Sequence, residues 1–231
     1  MFEVLFIDLD DTVLDFKKAE SIAIAKTLRA FSLEPTIEVC RRYSQINQIH
    51  WERLERGELT RAQVLVGRFA TLFAEYGIAV DPEACSRQYT ENLGIGHYFL
   101  PGAKEALEAL AGEYRLYLAS NGTAKVQQAR LKSADIGHLF RDIFISQDIG
   151  TNKPDKEYFA RCFARIPDFD PAKTMIVGDS LTSDILGGKN AGIATCWVNP
   201  GHKPYKENIK PDYQIEALSE LPELLKRIST G

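Results

Sequence analysis

Phe2-Glu3-Val4-Leu5-Phe6-Ile7-Asp8-Leu9-Asp10-Asp11-Thr12-Val13-Leu14-Asp15 is the stretch whose reading decides the fold. Val4 to Ile7 is a short apolar run, which predicts a strand buried on both faces, as in a parallel sheet. The run stops at carboxylates. Asp8, Asp10 and Asp11 crowd together where such a strand would meet solvent. Like charges this close repel, and burial raises the cost of each. A bound cation relieves that cost. A solvated acidic turn is the other reading of the same residues, and the rest of the chain has to decide.

With 231 residues, the chain suits one large domain or a core plus a smaller one. Its 45% hydrophobic content is ample for a packed core. A net charge of −4 and the absence of a Lys/Arg cluster offer no field for a nucleic-acid polymer. A small anionic substrate would need a local device, such as a metal or a helix N-terminus. Cys40, Cys85, Cys162 and Cys196 are widely spaced, as are the histidines, so neither a disulfide framework nor a zinc site is expected. The N-terminal apolar run is too short for a signal peptide, and no stretch reaches membrane-spanning length. Free thiols fit a reducing compartment, and the chain reads as cytoplasmic.

From Lys17 to about Gly96 the pattern is helical throughout. Pro35 breaks the first helix, and the second runs from Ile37 to about Leu54. Thr60 is placed to cap a third helix that ends at Gly77, and Asp81-Pro82 to start a fourth. No strand signal separates the four. After Leu100 helices alternate with strands at Tyr114–Ala119, Ile143–Ile145, Met175–Val177, Thr195–Val198 and Tyr213–Ile215, with helices near 103–110, 156–164, 183–191 and 218–228. A further helix runs from Ser120-Asn121-Gly122-Thr123 to about Ser133, and His202 to Pro211 reads as a loop. The expected fold is α/β: a Rossmann-like parallel sheet with helices on both faces, residues 1–15 and 101–231, interrupted once by a helical-bundle domain, residues 16–100. An insertion that starts beside the acidic turn is placed to act as a lid.

Four groups then stand in order: Asp8-x-Asp10-x-Thr12, Ser120-Asn121, Lys153-Pro154, and Gly178-Asp179-Ser180-Leu181-Thr182-Ser183-Asp184. All but Lys153 fall at or just past the C-terminal end of an expected strand, the edge at which open parallel sheets hold ligands. Taken singly, each is an ordinary cap or turn. Together they resemble the four motifs of the haloacid dehalogenase (HAD) superfamily, most of whose members are Mg²⁺-dependent phosphohydrolases. The resemblance implies that Asp8 is the nucleophile and Asp10 the general acid and base. It implies Mg²⁺, with Mn²⁺ as an alternative, held by Asp8, the backbone carbonyl of Asp10, and Asp179. Asp184 would stand behind these ligands and Thr12 would bond within the acidic turn. Ser120, the N–H of Asn121 and Lys153 would bind the phosphate. Asp11 and Asp15 match no functional position and read as solvated or helix-start acids.

Asp10 favours phosphoryl transfer over dehalogenation, since halide needs no proton. The chain further resembles bacterial pyrimidine 5′-nucleotidases of the superfamily, on Phe6 to Phe16, Trp51-Glu52, Gly57-Glu58-Leu59-Thr60, Arg68-Phe69 and the later motifs. The substrate implied is a small phosphate monoester, a pyrimidine nucleoside monophosphate. A sugar phosphate, phosphoglycolate or a phosphosugar mutase reaction stays open. Phosphoacceptor receiver domains share some residues, but they are half as long and carry the acceptor Asp on a later strand. Phe16, Trp51, Tyr89, His97, Tyr98 and Phe99 could stack on a base, yet aromatics at helical spacing in a small bundle are usually its core. Oligomeric state is not legible.

Overall fold

The computed structural model of the chain describes residues 1–205 and 208–230. In chain order its main elements are β1 (Val4–Ile7), α1 (Phe16–Ala30), α2 (Ile37–Glu55), α3 (Arg61–Tyr76), α4 (Pro82–Gly94), α5 (Ala103–Glu113), β2 (Arg115–Ser120) and α6 (Ala124–Ala134). Then follow β3 (Asp142–Ile145), α7 (Ser146–Ile149), α8 (Lys156–Phe163), β4 (Thr174–Gly178), α9 (Leu186–Ala191), β5 (Ala194–Val198), β6 (Tyr213–Ile215) and α10 (Leu221–Thr230). Contacts divide the chain into two compact units: Met1–Asp15 with Tyr98–Gly231, and Phe16–His97. Residues 98–100, read from sequence as the end of the insertion, are held by the first unit. Leu14 bridges to Phe99, Leu100 N donates to Val13 O, and both residues pack on the first unit's core.

In the first unit, among the described residues, six parallel strands form one sheet in the order β3-β2-β1-β4-β5-β6. β1 lies inside it, paired on one edge with β2 and on the other with β4. Every residue of β1 is buried, which is why it reads as an unbroken apolar run. Alternation sorts those residues between two layers. Leu5 and Ile7 join Leu116, Leu118, Met175 and Val177 under α5 and α10; Val4 and Phe6 join Tyr117, Phe144 and Ile176 under α8. The expected loop His202–Pro211 is irregular where described; its residues 206 and 207 lie outside the described residues.

Two local features went unread in sequence. The single turn α7 is too short to carry a period. The helix expected from Ser183 opens earlier, as a wide π-helical turn over Leu181–Ile185. Its cap Ser180 accepts from Ser183 N, while Ser180 N donates to Asp184 Oδ2 at 3.0 Å. That turn brings Asp184 back against the end of β4.

The second unit is formed by α1–α4. The expected start signals act as caps: Thr60 forms a reciprocal capping box with Gln63, and Asp81 accepts from Glu83 N and Ala84 N. Gly77 ends α3 in the left-handed conformation. Tyr43, Phe69 and Tyr89 pack against one another with centroids 5.1–5.6 Å apart, so Tyr89 is core. Beside them runs a buried polar chain. Glu20 accepts from Ser44 and from Asn47 Nδ2, and Asn47 Oδ1 accepts from Arg68, whose guanidinium lies 4.6 Å from the Tyr89 ring centroid. Trp51 is half-buried, with Arg61 5.6 Å from its ring centroid.

Candidate active site

β1 and β4 are neighbours in the sheet but far apart in sequence, so they flank the point where chain order reverses, where open parallel sheets bind ligands. Asp8 stands one residue past β1, its N–H donating to Val177 O, and Asp179 stands one residue past β4. One carboxylate oxygen from each of Asp8, Asp179 and Asp184 lies within 4.8 Å of the others. Gly178 permits this. A Cβ there would overlap the Asp184 carboxylate, so only glycine lets the π-turn close. Trp197 Nε1 donates to Asp179 O at 2.8 Å and fixes the backbone on the far side.

Lys153 enters this acidic group from the loop before α8. It is 1% exposed, and its Nζ donates to Asp8 Oδ1 (2.8 Å), Asp184 Oδ1 (2.6 Å) and Ala119 O (2.6 Å). An ammonium has three donors, and all three are committed here. The expected direct bond from Lys153 to a phosphate would require one of them to be released. The Asn121 side chain holds the Lys153 backbone on both sides, accepting from its N–H and donating to its carbonyl, each at 2.9 Å. Motif two therefore aligns motif three.

Burial pushes the Asp8 carboxyl up to about 8; Lys153 opposes that rise, and Asp184 and Asp10 add to it. For Lys153, burial works against the charge, but Asp184 and Asp8 outweigh it and hold the ammonium above its ordinary value. Asp8 and Asp184 thus share one buried ammonium, and the half-buried Asp179 adds a third carboxylate beside them. An oxygen-only donor set with excess negative charge fits a hard divalent cation, Mg²⁺ or Mn²⁺.

Asp10 takes its partners from α6. Arg130 Nη1 donates to its Oδ1 and Gln127 Nε2 to its Oδ2, the latter at 2.7 Å. Gln127 Nε2 also reaches Ser120 Oγ at 2.7 Å, and Gly122 N donates to the same oxygen at 3.1 Å. With both acceptor positions filled, the Ser120 hydroxyl is left to act as a donor. Ala124 N, at the start of α6, donates to Gln147 Oε1. Thr12 departs from expectation. It is fully buried, but its hydroxyl makes no hydrogen bond among the described residues, because the turn is closed by backbone bonds from Asp11 N to Leu14 O and from Val13 N and Leu14 N to Leu9 O. Asp11 takes a positive φ of 55°, a conformation Asp tolerates, as part of that closure.

Gln127 and Arg130 were missed in sequence. The signal that could have found them is their spacing. With Leu131 and Ala134 they occupy positions i, i+3, i+4 and i+7 of α6, the stripe a helix turns inward.

Comparison with known proteins agrees with this geometry. The family described as haloacid dehalogenase-like hydrolase matches residues 2–192. HAD-hydrolase YfnB of Bacillus subtilis is 40% identical over 97% of this chain and 95% of its own; a crystal structure of YfnB bound to magnesium superposes with a TM-score of 0.93, covering 97% of this chain and 98% of that one. Pyrimidine 5′-nucleotidase PynA of Streptococcus pneumoniae is 32% identical over 98% of this chain and 96% of its own, and pyrimidine 5′-nucleotidase YjjG of Escherichia coli is 31% identical over 96% of each. No described helix is long and apolar enough to cross a membrane. A sheet that gathers the four motifs at one edge, in a chain aligned end to end with such relatives, makes this protein a member of the haloacid dehalogenase-like hydrolase family.

Proposed function

We propose that this chain is a Mg²⁺-dependent phosphomonoesterase that works through an aspartyl phosphate on Asp8 and takes pyrimidine nucleoside 5′-monophosphates. The observation that carries the reading is the convergence of the Asp8, Asp179 and Asp184 carboxylates, two of which, Asp8 and Asp184, hold the buried Lys153 ammonium. The names of PynA and YjjG support the substrate class, and the magnesium in the YfnB crystal supports the cation. The reading keeps the division into a core and an inserted helical cap that selects the substrate, with residues 98–100 on the core side.

Asp8, Asp179 and the backbone carbonyl of Asp10 would hold the cation. When bound, it supplies the positive charge that lets a carboxylate meet a dianionic phosphate. Asp8 attacks phosphorus, the phosphorus–ester oxygen bond breaks, and the leaving oxygen takes a proton from Asp10. The Asp10 carboxylate then takes a proton from water, whose oxygen attacks the phosphorus of the aspartyl phosphate. Inorganic phosphate leaves and Asp8 is a carboxylate again. Ser120 Oγ and the Asn121 N–H donate to phosphate oxygens. Lys153, its donors engaged, acts mainly through its charge, and Asp184 keeps it in place.

The test is phosphate release from UMP, dUMP, dTMP, AMP, GMP, sugar phosphates and phosphoglycolate, with and without Mg²⁺. Preference for the pyrimidine monophosphates, lost with EDTA, supports the proposal. Preference for a sugar phosphate or phosphoglycolate would keep the mechanism and replace the substrate; no Mg²⁺-dependent release from any ester would overturn both.

A further inference from the structure

We infer that Gln127 and Arg130 are positioning residues that hold the Asp10 carboxyl group and the Ser120 hydroxyl in register, so that proton delivery to the leaving oxygen depends on them. The inference rests on the reading of Asp10 as the acid and base given above.

Arg130 is fully buried and Gln127 is 1% exposed, on a helix stripe otherwise formed by Val126, Leu131 and Ala134. Burying a guanidinium on such a stripe is costly, and well-packed apolar side chains commonly serve stability as well or better. What the pair contributes is geometry. Each oxygen of Asp10 is held by a different residue of α6, so the carboxyl plane cannot turn without breaking one of the two bonds. Arg130 Nη1 also donates to Gln127 Oε1 at 3.1 Å. Arginine can only donate, which fixes the Gln127 amide with its nitrogen toward Asp10 and Ser120. Gln127 Nε2 then spans the two motifs, 2.7 Å from Asp10 Oδ2 and 2.7 Å from Ser120 Oγ. The turn of motif two is built around this amide: a Cβ at Gly122 would lie 2.5 Å from Gln127 Nε2. The group that moves the proton and a group that grips the phosphate therefore share one support.

The step that should expose this is departure of the leaving group, in which the phosphorus–ester oxygen bond breaks and the alkoxide oxygen takes the Asp10 proton. An aryl ester such as p-nitrophenyl phosphate releases a stable phenolate and needs little proton delivery; an alkyl ester needs it fully. kcat/KM covers the steps through this departure and not the later hydrolysis of the aspartyl phosphate. The experiment measures kcat/KM for p-nitrophenyl phosphate and for the alkyl ester turned over fastest in the panel, using the full chain with Mg²⁺. Arg130→Met is expected to lower the alkyl value by about 10² to 10³-fold and the aryl value by less than about tenfold. Gln127→Met is expected to show the same bias, at about tenfold, and carries the test alone if Arg130→Met does not fold. Equal losses on both esters, or no loss on either, would overturn the inference. Asp10→Asn separates the two readings. If Asp10→Asn shows the alkyl bias and the α6 variants do not, positioning is wrong and the acid reading stands. If Asp10→Asn shows no bias, the acid reading itself fails.

Discussion

Both units bury ionic side chains, and they do so with opposite balance. In the helical unit Glu20 and Arg68 are joined through the neutral amide of Asn47, one carboxylate against one guanidinium, with Ser44 also donating to Glu20. In the sheet unit the Asp8, Asp179 and Asp184 carboxylates converge while a single ammonium bonds Asp8 and Asp184, and burial pushes the Asp8 carboxyl up to about 8. A balanced, bonded network serves the packing of a bundle and its register. An unbalanced one stores unfavourable charge that a cation and a phosphate could use, which is how perturbed groups mark functional sites.

The sharpest way to break this contrast is Asp8→Asn. It is expected to cut phosphate release at least about 10³-fold. In EDTA it should also stabilise the protein by about 1–2 kcal/mol, since it removes a carboxyl whose ionisation the buried site opposes; a loss of stability on denaturant titration would contradict the imbalance. Lys153→Met should act the other way. It leaves Asp8 and Asp184 without their ammonium and should cost about 3–5 kcal/mol of unfolding free energy in EDTA, read by urea melts. Arg68→Met tests the balanced network. It should cost about 2–3 kcal/mol, the loss of charged hydrogen bonds, while kcat on p-nitrophenyl phosphate for the folded fraction stays within about threefold. A collapse of kcat with the fold intact would move Arg68 from packing to function.

The last prediction concerns pH dependence. A carboxyl raised in the folded state binds its proton more tightly there than in the unfolded chain. In EDTA, therefore, stability should fall as pH rises between the ordinary value of 3.8 and about 8. Asp8→Asn should flatten that slope. Saturating Mg²⁺ should flatten it too and raise the melting temperature, by an amount equivalent to about 2.7 kcal/mol at a hundredfold excess over Kd. An unchanged slope in Asp8→Asn would mean that another group carries it.

Much of this was legible in the chain. A strand buried on both faces has to be apolar at every position, so Val4–Ile7 announces itself, and the carboxylates of Asp8 and Asp10 mark where it ends. Caps such as Thr60 and Asp81 are local devices and can be read locally. The acidic and basic residues of the four motifs are ordinary one by one and stand out only as an ordered set along the chain. Gln127 and Arg130 did not stand out, because a Gln and an Arg on a helix are ordinary surface residues; only the inward stripe they share with Leu131 and Ala134 gives them away. Thr12 was misread for a related reason: the backbone closes its turn without needing a hydroxyl.

By itself, then, the sequence determined the alternation of strands and helices, the single helical insertion and the residue types of the site, since period, caps and polarity are written in neighbouring positions. Only the tertiary structure decided which donors each carboxylate meets: that Lys153 is fully engaged by Asp8, Asp184 and Ala119, that Asp184 folds back over Gly178, and that Asp10 is gripped from α6. These contacts join residues four to 145 positions apart. They form because parallel pairing of β1 with β2 and β4 brings three strand ends to one edge, and hydrogen-bond geometry at that edge depends on distances no local pattern encodes.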